Sequence, residues 1–230
     1  STPRDWKISD FSAYITSSKV SSSPSNLVPE IVPNQFDPKT CKDVGTKFIS
    51  EKGIDGIKFS LLVLGGDGIG YTYTKKEWIE ILDNFSSYCE SKESSPLFIT
   101  SRRTPKEIED LIKHRYDVSM SVLFHYEKAR GKFDHLLYIA DDIFVTEDSS
   151  TMISEAVSSG KKVASIFPQN IKAPDKYLQI IIKYESLGFI ERCDIQSIDK
   201  FSLKGETNIR EKVENSKKNF QRLLVNRLKD

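Results

Sequence analysis

Three short stretches of this chain combine residue types that hold anions. Thr146-Glu147-Asp148-Ser149-Ser150-Thr151-Met152 sets hydroxyls and carboxylates between an apolar strand, Ile143–Val145, and a helix. That helix carries Met152, Ile153, Ala156 and Val157 and stops at Gly160. Backbone N–H groups and small hydroxyls gathered at a helix N-terminus suit an anion such as a diphosphate. Glu155 lies four residues beyond Thr151, about one turn inside, within reach of a sugar hydroxyl. The same stretch would also serve as an ordinary capped helix.

The second stretch, Gly65-Gly66-Asp67, ends the apolar run Phe59–Leu64 and opens a glycine-rich turn through Gly70. Glycine there either lets a ligand approach the backbone or supplies positive φ. The third, Ser101-Arg102-Arg103-Thr104, offers two guanidinium forks, which match phosphate oxygens pairwise. Adjacent side chains rarely point the same way, so one arginine is expected at a phosphate and the other in a structural role. Ser101 adds a hydroxyl, and Thr104 reads as a helix N-cap.

Other reactive groups are less ordered. The glycine turn lacks the GxGxxG order, and no GxxxxGK[ST] loop is present, which argues against a P-loop NTPase. Asp141 and Asp142 precede their strand and fall at its opposite end, as solvated surface. Glu147 and Asp148 are placed either to complement a helix dipole or to do acid–base work. His125 and Tyr126 follow a strand, where a histidine meets a base or sugar or is simply packed. Cys41, Cys89 and Cys193 share no CxxC spacing and read as reduced thiols. No HExxH or other zinc spacing occurs, and no metal or other cofactor is expected.

The elements that must position these groups alternate. Strands are expected over Phe59–Leu64, Pro96–Thr100, Ser119–Phe124, Ile143–Val145 and Val163–Phe167. Helices follow from capping boxes at Thr74–Glu77 and Thr104–Glu107, and over Pro174–Leu187, with a short helix or turn at Phe133–Ile139. Such alternation predicts an α/β, Rossmann-like, mainly parallel sheet with helices on both faces. All three unusual stretches then fall at the carboxyl ends of strands, the edge where such folds bind ligands.

Residues 1–57 read as an irregular segment, with a strand at Phe11–Thr16, a Ser/Pro-rich loop over Ser17–Pro38 and a helix over Thr40–Ser50. Residues 58–190 form the expected binding domain, and 191–230 end in a charged amphipathic helix from Gly205, with Val213, Phe220, Leu223, Leu224 and Leu228 packing on the body. With 34 basic against 33 acidic residues the net charge is +1, which gives no case for nucleic acid. No apolar run is long enough to cross a bilayer, and no signal peptide is visible. A cytoplasmic protein is expected, with peripheral membrane association left open. The chain begins at Ser1, as a processed, trimmed or partial sequence would.

The stretches Val63–Asp67, Ile99–Pro105 and Val145–Ala156, in this order, resemble the mitochondrial-fission-protein-like family, a group related to GT-B glycosyltransferases. Ser-Arg-Arg-Thr-Pro is their most specific part. The resemblance spans about residues 10–190 and implies the carboxyl-terminal, nucleotide-sugar-binding half of a GT-B fold. By that resemblance Gly65, Gly66, Asp67, Ser101, Arg102, Arg103, Thr146, Asp148, Ser149, Ser150, Thr151, Met152 and Glu155 would line the donor site. Glu155 would hold the ribose, and Arg102 a phosphate. The implied activity is sugar transfer from a nucleotide-sugar to a glycan or lipid-linked acceptor, without metal. The alternatives are a binding or scaffold module of the same ancestry, and a nucleotide-sugar epimerase using His125, Glu147 or Asp148.

Overall fold

The computed structural model describes residues 6–34, 36–126, 133–203 and 208–229, so Ser1 and Gly205 lie outside the described residues. A small parallel pair, β1 (Tyr14–Ile15) and β2 (Asn26–Leu27), and helix α1 (Pro38–Lys52) come first. Then follow β3 (Phe59–Leu64), α2 (Lys75–Lys92), β4 (Ser95–Thr100), α3 (Lys106–Arg115), α4 (Phe133–Ile139), β5 (Asp142–Thr146), α5 (Ser150–Ser158), β6 (Lys162–Phe167), α6 (Asp175–Ser186), β7 (Glu191–Asp194) and α7 (Ile209–Lys229). Strands β3 to β7 make one all-parallel sheet in the spatial order β4-β3-β5-β6-β7. This is the α/β architecture that the alternation predicts.

The sheet forms where the sequence is most apolar. Every residue of Phe59-Ser60-Leu61-Leu62-Val63-Leu64 is buried, as in a central parallel strand covered on both faces. Helix α2 buries Trp78, Ile81, Leu82, Phe85 and Cys89. Its capping box forms as expected: Glu77 N–H donates to Thr74 Oγ1 at 3.2 Å, and Thr74 N–H to Glu77 Oε2 at 2.8 Å. The other Glu77 oxygen accepts from Gln169 N–H at 2.9 Å, tying α2 to the loop after β6. Burial pushes the Glu77 carboxyl up, but these hydrogen bonds outweigh it and hold the group below its ordinary range.

The strand expected over Ser119–Phe124 is reduced to one parallel bridge, Val122 beside Ile99. Val122 N–H donates to Phe98 C=O at 2.8 Å, and Thr100 N–H to Val122 C=O at 2.9 Å. Phe98 N–H is taken instead by Ser121 Oγ at 3.0 Å. With Val122 counted as a rudimentary third strand, the sheet has the order 3-2-1-4-5-6 of dinucleotide-binding folds. The direction of winding reverses between β3 and β5, and the crevice outside their carboxyl ends is the topological switch point.

The amino-terminal region is more ordered than its composition suggests. The strand expected over Phe11–Thr16 shrinks to Tyr14–Ile15, and its partner Asn26–Leu27 comes from the stretch read as loop. Residues 31–34 run across α5 and α6. Val32 N–H donates to Tyr184 Oη at 2.8 Å, and Asn34 Nδ2 donates to the hydroxyls of Ser154 and Ser158, each at 2.9 Å. In α7, Ile209, Val213 and Ser216 are buried, whereas Leu223, Val225 and Leu228 stand exposed.

Candidate functional site

The switch-point crevice is floored by a web of hydrogen bonds that joins all three unusual stretches. Gly65 N–H donates to Thr146 Oγ1 at 2.7 Å, linking the end of β3 to the end of β5. Gly65 C=O accepts from Ser101 Oγ at 3.0 Å and Thr104 Oγ1 at 2.6 Å, linking it to the end of β4. Thr104 is therefore not the cap of α3: Pro105 stands at that position without a side-chain bond. The hydroxyl has instead been drawn to the carbonyls of Leu64 and Gly65, the groups a parallel strand leaves open at its end.

Gly65 and Gly66 are close-approach glycines, and neither has positive φ. A Cβ on Gly65 would collide with the Asp148 carboxylate, and one on Gly66 with the Arg103 carbonyl. The clearance is thus occupied by the protein's own groups. Positive φ belongs to the next turn, where Gly68 and Tyr71 exchange both backbone hydrogen bonds, at 3.1 and 2.9 Å. Its central residues are Ile69 at φ 48° and Gly70 at φ 86°, the signature of a two-residue hairpin turn. A β-branched residue there is strained, and Ile69 is exposed. Asp67 is turned away from the crevice floor, accepting from Tyr73 N–H at 3.0 Å.

Two adjacent carboxylates at the end of β5 have opposite fates. Glu147 is fully buried, and Oε1 accepts from Ser165 Oγ at 2.9 Å and Arg192 Nε at 2.6 Å. Its Oε2 accepts from Arg192 Nη2 at 2.9 Å and the Tyr71 phenol at 3.0 Å. Every lone pair is engaged, so Glu147 has no acid–base role to offer a ligand. The fork comes from β7, a strand too short and charged (Glu-Arg-Cys-Asp) for periodicity to reveal. Asp148 is also buried, yet only Oδ2 is engaged, by Arg103 Nη2 at 2.5 Å and Gly66 N–H at 3.1 Å. Its Oδ1 is buried with no partner among the described residues. Burial dominates and raises the Asp148 carboxyl above its ordinary range, despite the Thr146 hydroxyl, the Arg103 guanidinium and the Gly66 N–H.

Helix α5 starts at this point. Ser149 is its N-cap, accepting from Met152 N–H at 3.4 Å. The N–H groups of Ser150 and Thr151 and both their hydroxyls are unbonded among the described residues. Arg102 is exposed and without a partner among the described residues, so Arg103 is the structural member of the pair. Met152 and Glu155 are half-buried. Burial, then the nearby Asp134, raises the Glu155 carboxyl above its usual range.

Sequence reasoning missed one support of this edge. Glu109, fully buried in α3, accepts from the Thr100 hydroxyl and from His125 N–H at 2.9 Å, pinning the loop after the rudimentary strand. The exposed His125 ring nitrogen Nε2 lies 3.3 Å from Thr104 C=O. Its only sequence signal was Glu at the buried i+1 position after Ile108. Elsewhere, Asp141 and Asp142 serve the opposite edge, accepting from Phe59 N–H at 2.9 Å and the Tyr88 phenol at 2.8 Å. All three cysteines are free and buried, and burial pushes their thiols up, Cys41 to about 11 and Cys89 and Cys193 to about 12.

The profile of the family described as mitochondrial fission ELM1 matches residues 16–207. The chain belongs to that family. The three stretches of the crevice all lie inside the matched span. An uncharacterized protein, RP120 of Rickettsia prowazekii (strain Madrid E), is 31% identical over 125 residues, covering 50% of this chain and 33% of that protein. Among solved structures, the chain is similar to a family 9 glycosyl transferase from Veillonella parvula, with TM-score 0.41 and 12% identity, over 86% of this chain and 55% of that one. It is likewise similar to a UDP-forming α,α-trehalose-phosphate synthase from Burkholderia vietnamiensis, with TM-score 0.45 and 11% identity, over 85% and 50% of the two chains. The ELM1-family chain thus spans a third of the curated relative and about half of these structures. At such TM-scores and identities the two structural similarities bear on neither activity nor substrate.

Proposed function

We propose that the crevice between β3 and β5 binds the diphosphate of a nucleotide-sugar, and that this chain is the donor-binding half of a GT-B-type glycosyltransferase. The observation that carries this reading is the convergence of three sequence-distant stretches at the switch point. They form a rigid floor there, and among the described residues the N–H groups of Ser150 and Thr151 and the Arg102 guanidinium stay unpaired. In the bound state the α5 N-terminus and Arg102 would meet the phosphates. Glu155, one turn inside, would accept from the ribose, as the family resemblance implies. In transfer the same donors would stabilise the charge that grows on the departing diphosphate. The acceptor, a glycan or lipid-linked group, and the base that activates it would belong to the other half of the fold.

A binding module without transfer is the second reading. It is favoured by the glycine clearance, which Asp148 and Arg103 fill instead of leaving it to a ligand.

Calorimetry with UDP, GDP, ADP, CMP and their sugar conjugates tests the site. Saturable binding of one nucleotide family is expected. Arg102→Ala should weaken it about tenfold or more, the value of one charge-assisted hydrogen bond, and Glu155→Ala should weaken nucleosides and nucleotides alike. Absence of binding at millimolar ligand would overturn the proposal. Binding without hydrolysis or transfer of the sugar, in a chain supplied with its full-length sequence, would favour the module.

A further inference from the structure

Helix α7 runs off the body that it packs against. Its first half is held by Ile209, Val213 and Ser216, all buried. The second half continues for several turns with Leu223 at 57%, Val225 at 48% and Leu228 at 62% exposure. Its charge is also one-sided. Residues 217–229 hold five basic side chains (Lys217, Lys218, Arg222, Arg227 and Lys229) and no Asp or Glu, in a chain whose net charge is only +1. At the helical repeat, half-buried Phe220 and Leu224 continue the side that Ile209, Val213 and Ser216 bury, Leu223 and Leu228 stand exposed on its two flanks, and Lys218, Arg222 and Lys229 occupy the opposite half.

The amino-terminal strands extend this surface. Arg227 joins them to the helix, donating from Nε to Ser12 C=O at 3.0 Å and from Nη2 to Ser25 Oγ at 3.2 Å. This region presents Trp6 (54% exposed), Ile15 (43%) and Val20 (44%), with Lys7 and Lys19 among them. Exposed leucines, an exposed tryptophan and a local surplus of lysine and arginine are what an interface with anionic lipid requires. Among the described residues no helix is long and apolar enough to cross a membrane, so the contact would lie along the surface.

We propose that distal α7, together with the β1–β2 segment, is a docking face for an anionic lipid surface. The apolar side chains enter the headgroup boundary, and the basic ones meet lipid phosphate and carboxylate groups. The surface is remote in sequence from the crevice, and its test does not depend on nucleotide binding.

Flotation of the chain with vesicles of phosphatidylcholine alone, and of phosphatidylcholine mixed with phosphatidylserine, decides the matter. Flotation is expected only with the anionic vesicles and should fall as salt is raised. Trp6 fluorescence should shift to the blue on binding, since the other tryptophan, Trp78, is already buried. Lys218→Gln with Arg222→Gln should weaken partitioning about thirtyfold, the equivalent of roughly 1 kcal/mol for each charge removed. Leu223→Ser with Leu228→Ser should abolish flotation without moving the urea midpoint, because neither side chain is part of the core. No flotation with anionic vesicles, equal flotation with both kinds, or flotation indifferent to these variants would overturn the proposal. So would self-association of the free chain, seen by sedimentation and lost in the leucine variant, because it would assign the face to a second protein surface.

Discussion

The carboxyl edge of the sheet has two halves that meet at the tip of β5. Toward β6 and β7 the edge is closed: Glu147 is fully buried, gripped by both arms of Arg192, and further held by Tyr71 and Ser165. The Arg192 guanidinium also lies over the Phe167 ring at 4.4 Å. Toward β3 and β4 the edge is open: Asp148 is held through one oxygen by an arginine that is 36% exposed, and its other oxygen has no hydrogen-bond partner among the described residues. Adjacent carboxylates in the turn after β5 thus divide the work. A saturated buried pair fixes geometry, whereas an unsaturated one keeps electrostatic potential for something else. The helix N–H groups and Arg102 that have no partner among the described residues all lie on the open side.

That contrast can be broken from the closed side with the largest effect. Arg192→Ala leaves Glu147 buried and uncompensated and should cost about 3–5 kcal/mol in urea unfolding; a loss below 1 kcal/mol, on the scale of an exposed pair, would mean that the network is not closed. Gly65→Ala sets a methyl against the Asp148 carboxylate and should cost about 1–3 kcal/mol. In an Asp148→Ala background the cost should shrink, and a double-mutant cycle reads the difference directly. Strict additivity would place the clash elsewhere.

Acid titration sharpens the same contrast. The Asp148 carboxyl is raised in the fold, so its contribution to stability is complete below its unfolded value of about 3.9 and is lost as pH rises through the higher folded value. Glu77 is lowered and behaves in the opposite sense: its contribution is present above its unfolded value of about 4.3 and is lost as pH falls through the lower folded value. Relative to the parent chain, Asp148→Asn should therefore gain stability as pH rises, and Glu77→Gln should gain as pH falls. Chemical denaturation across that range checks both slopes. Ile69→Asn, relieving a β-branched residue at positive φ, should add about 1 kcal/mol. Arg102→Ala should change stability by no more than about 0.5 kcal/mol, so any loss of nucleotide binding would be read without correction for unfolding.

Much of this was legible in the residues, and the exceptions are instructive. The run Phe59–Leu64 and the Thr74–Glu77 box were readable because each is decided within a few residues of itself. Thr104 looked like the same kind of local signal, but a strand end distant in sequence recruited its hydroxyl. Strand β7 escaped notice because only Cys193 of its four residues is buried, so no apolar pattern marks it. Gly65 and Gly66 announced a constraint without its cause, since the groups that crowd them come from the turns after β5 and β4. The division between Glu147 and Asp148 was invisible, because it depends on which arginine reaches which carboxylate.

The thin strand at Val122 has a consequence for the chain's behaviour in crowded solution. An outer β-strand is a template on which another molecule can add its own. In β4 the outward donors fall on alternate residues, at positions 96, 98 and 100. Position 96 is proline and has no N–H, Phe98 is capped by a serine hydroxyl, and Thr100 is taken by Val122. A single bridging residue, one hydroxyl and one imino acid together leave that border with no outward donor for intermolecular growth, and so guard that side of the sheet against aggregation.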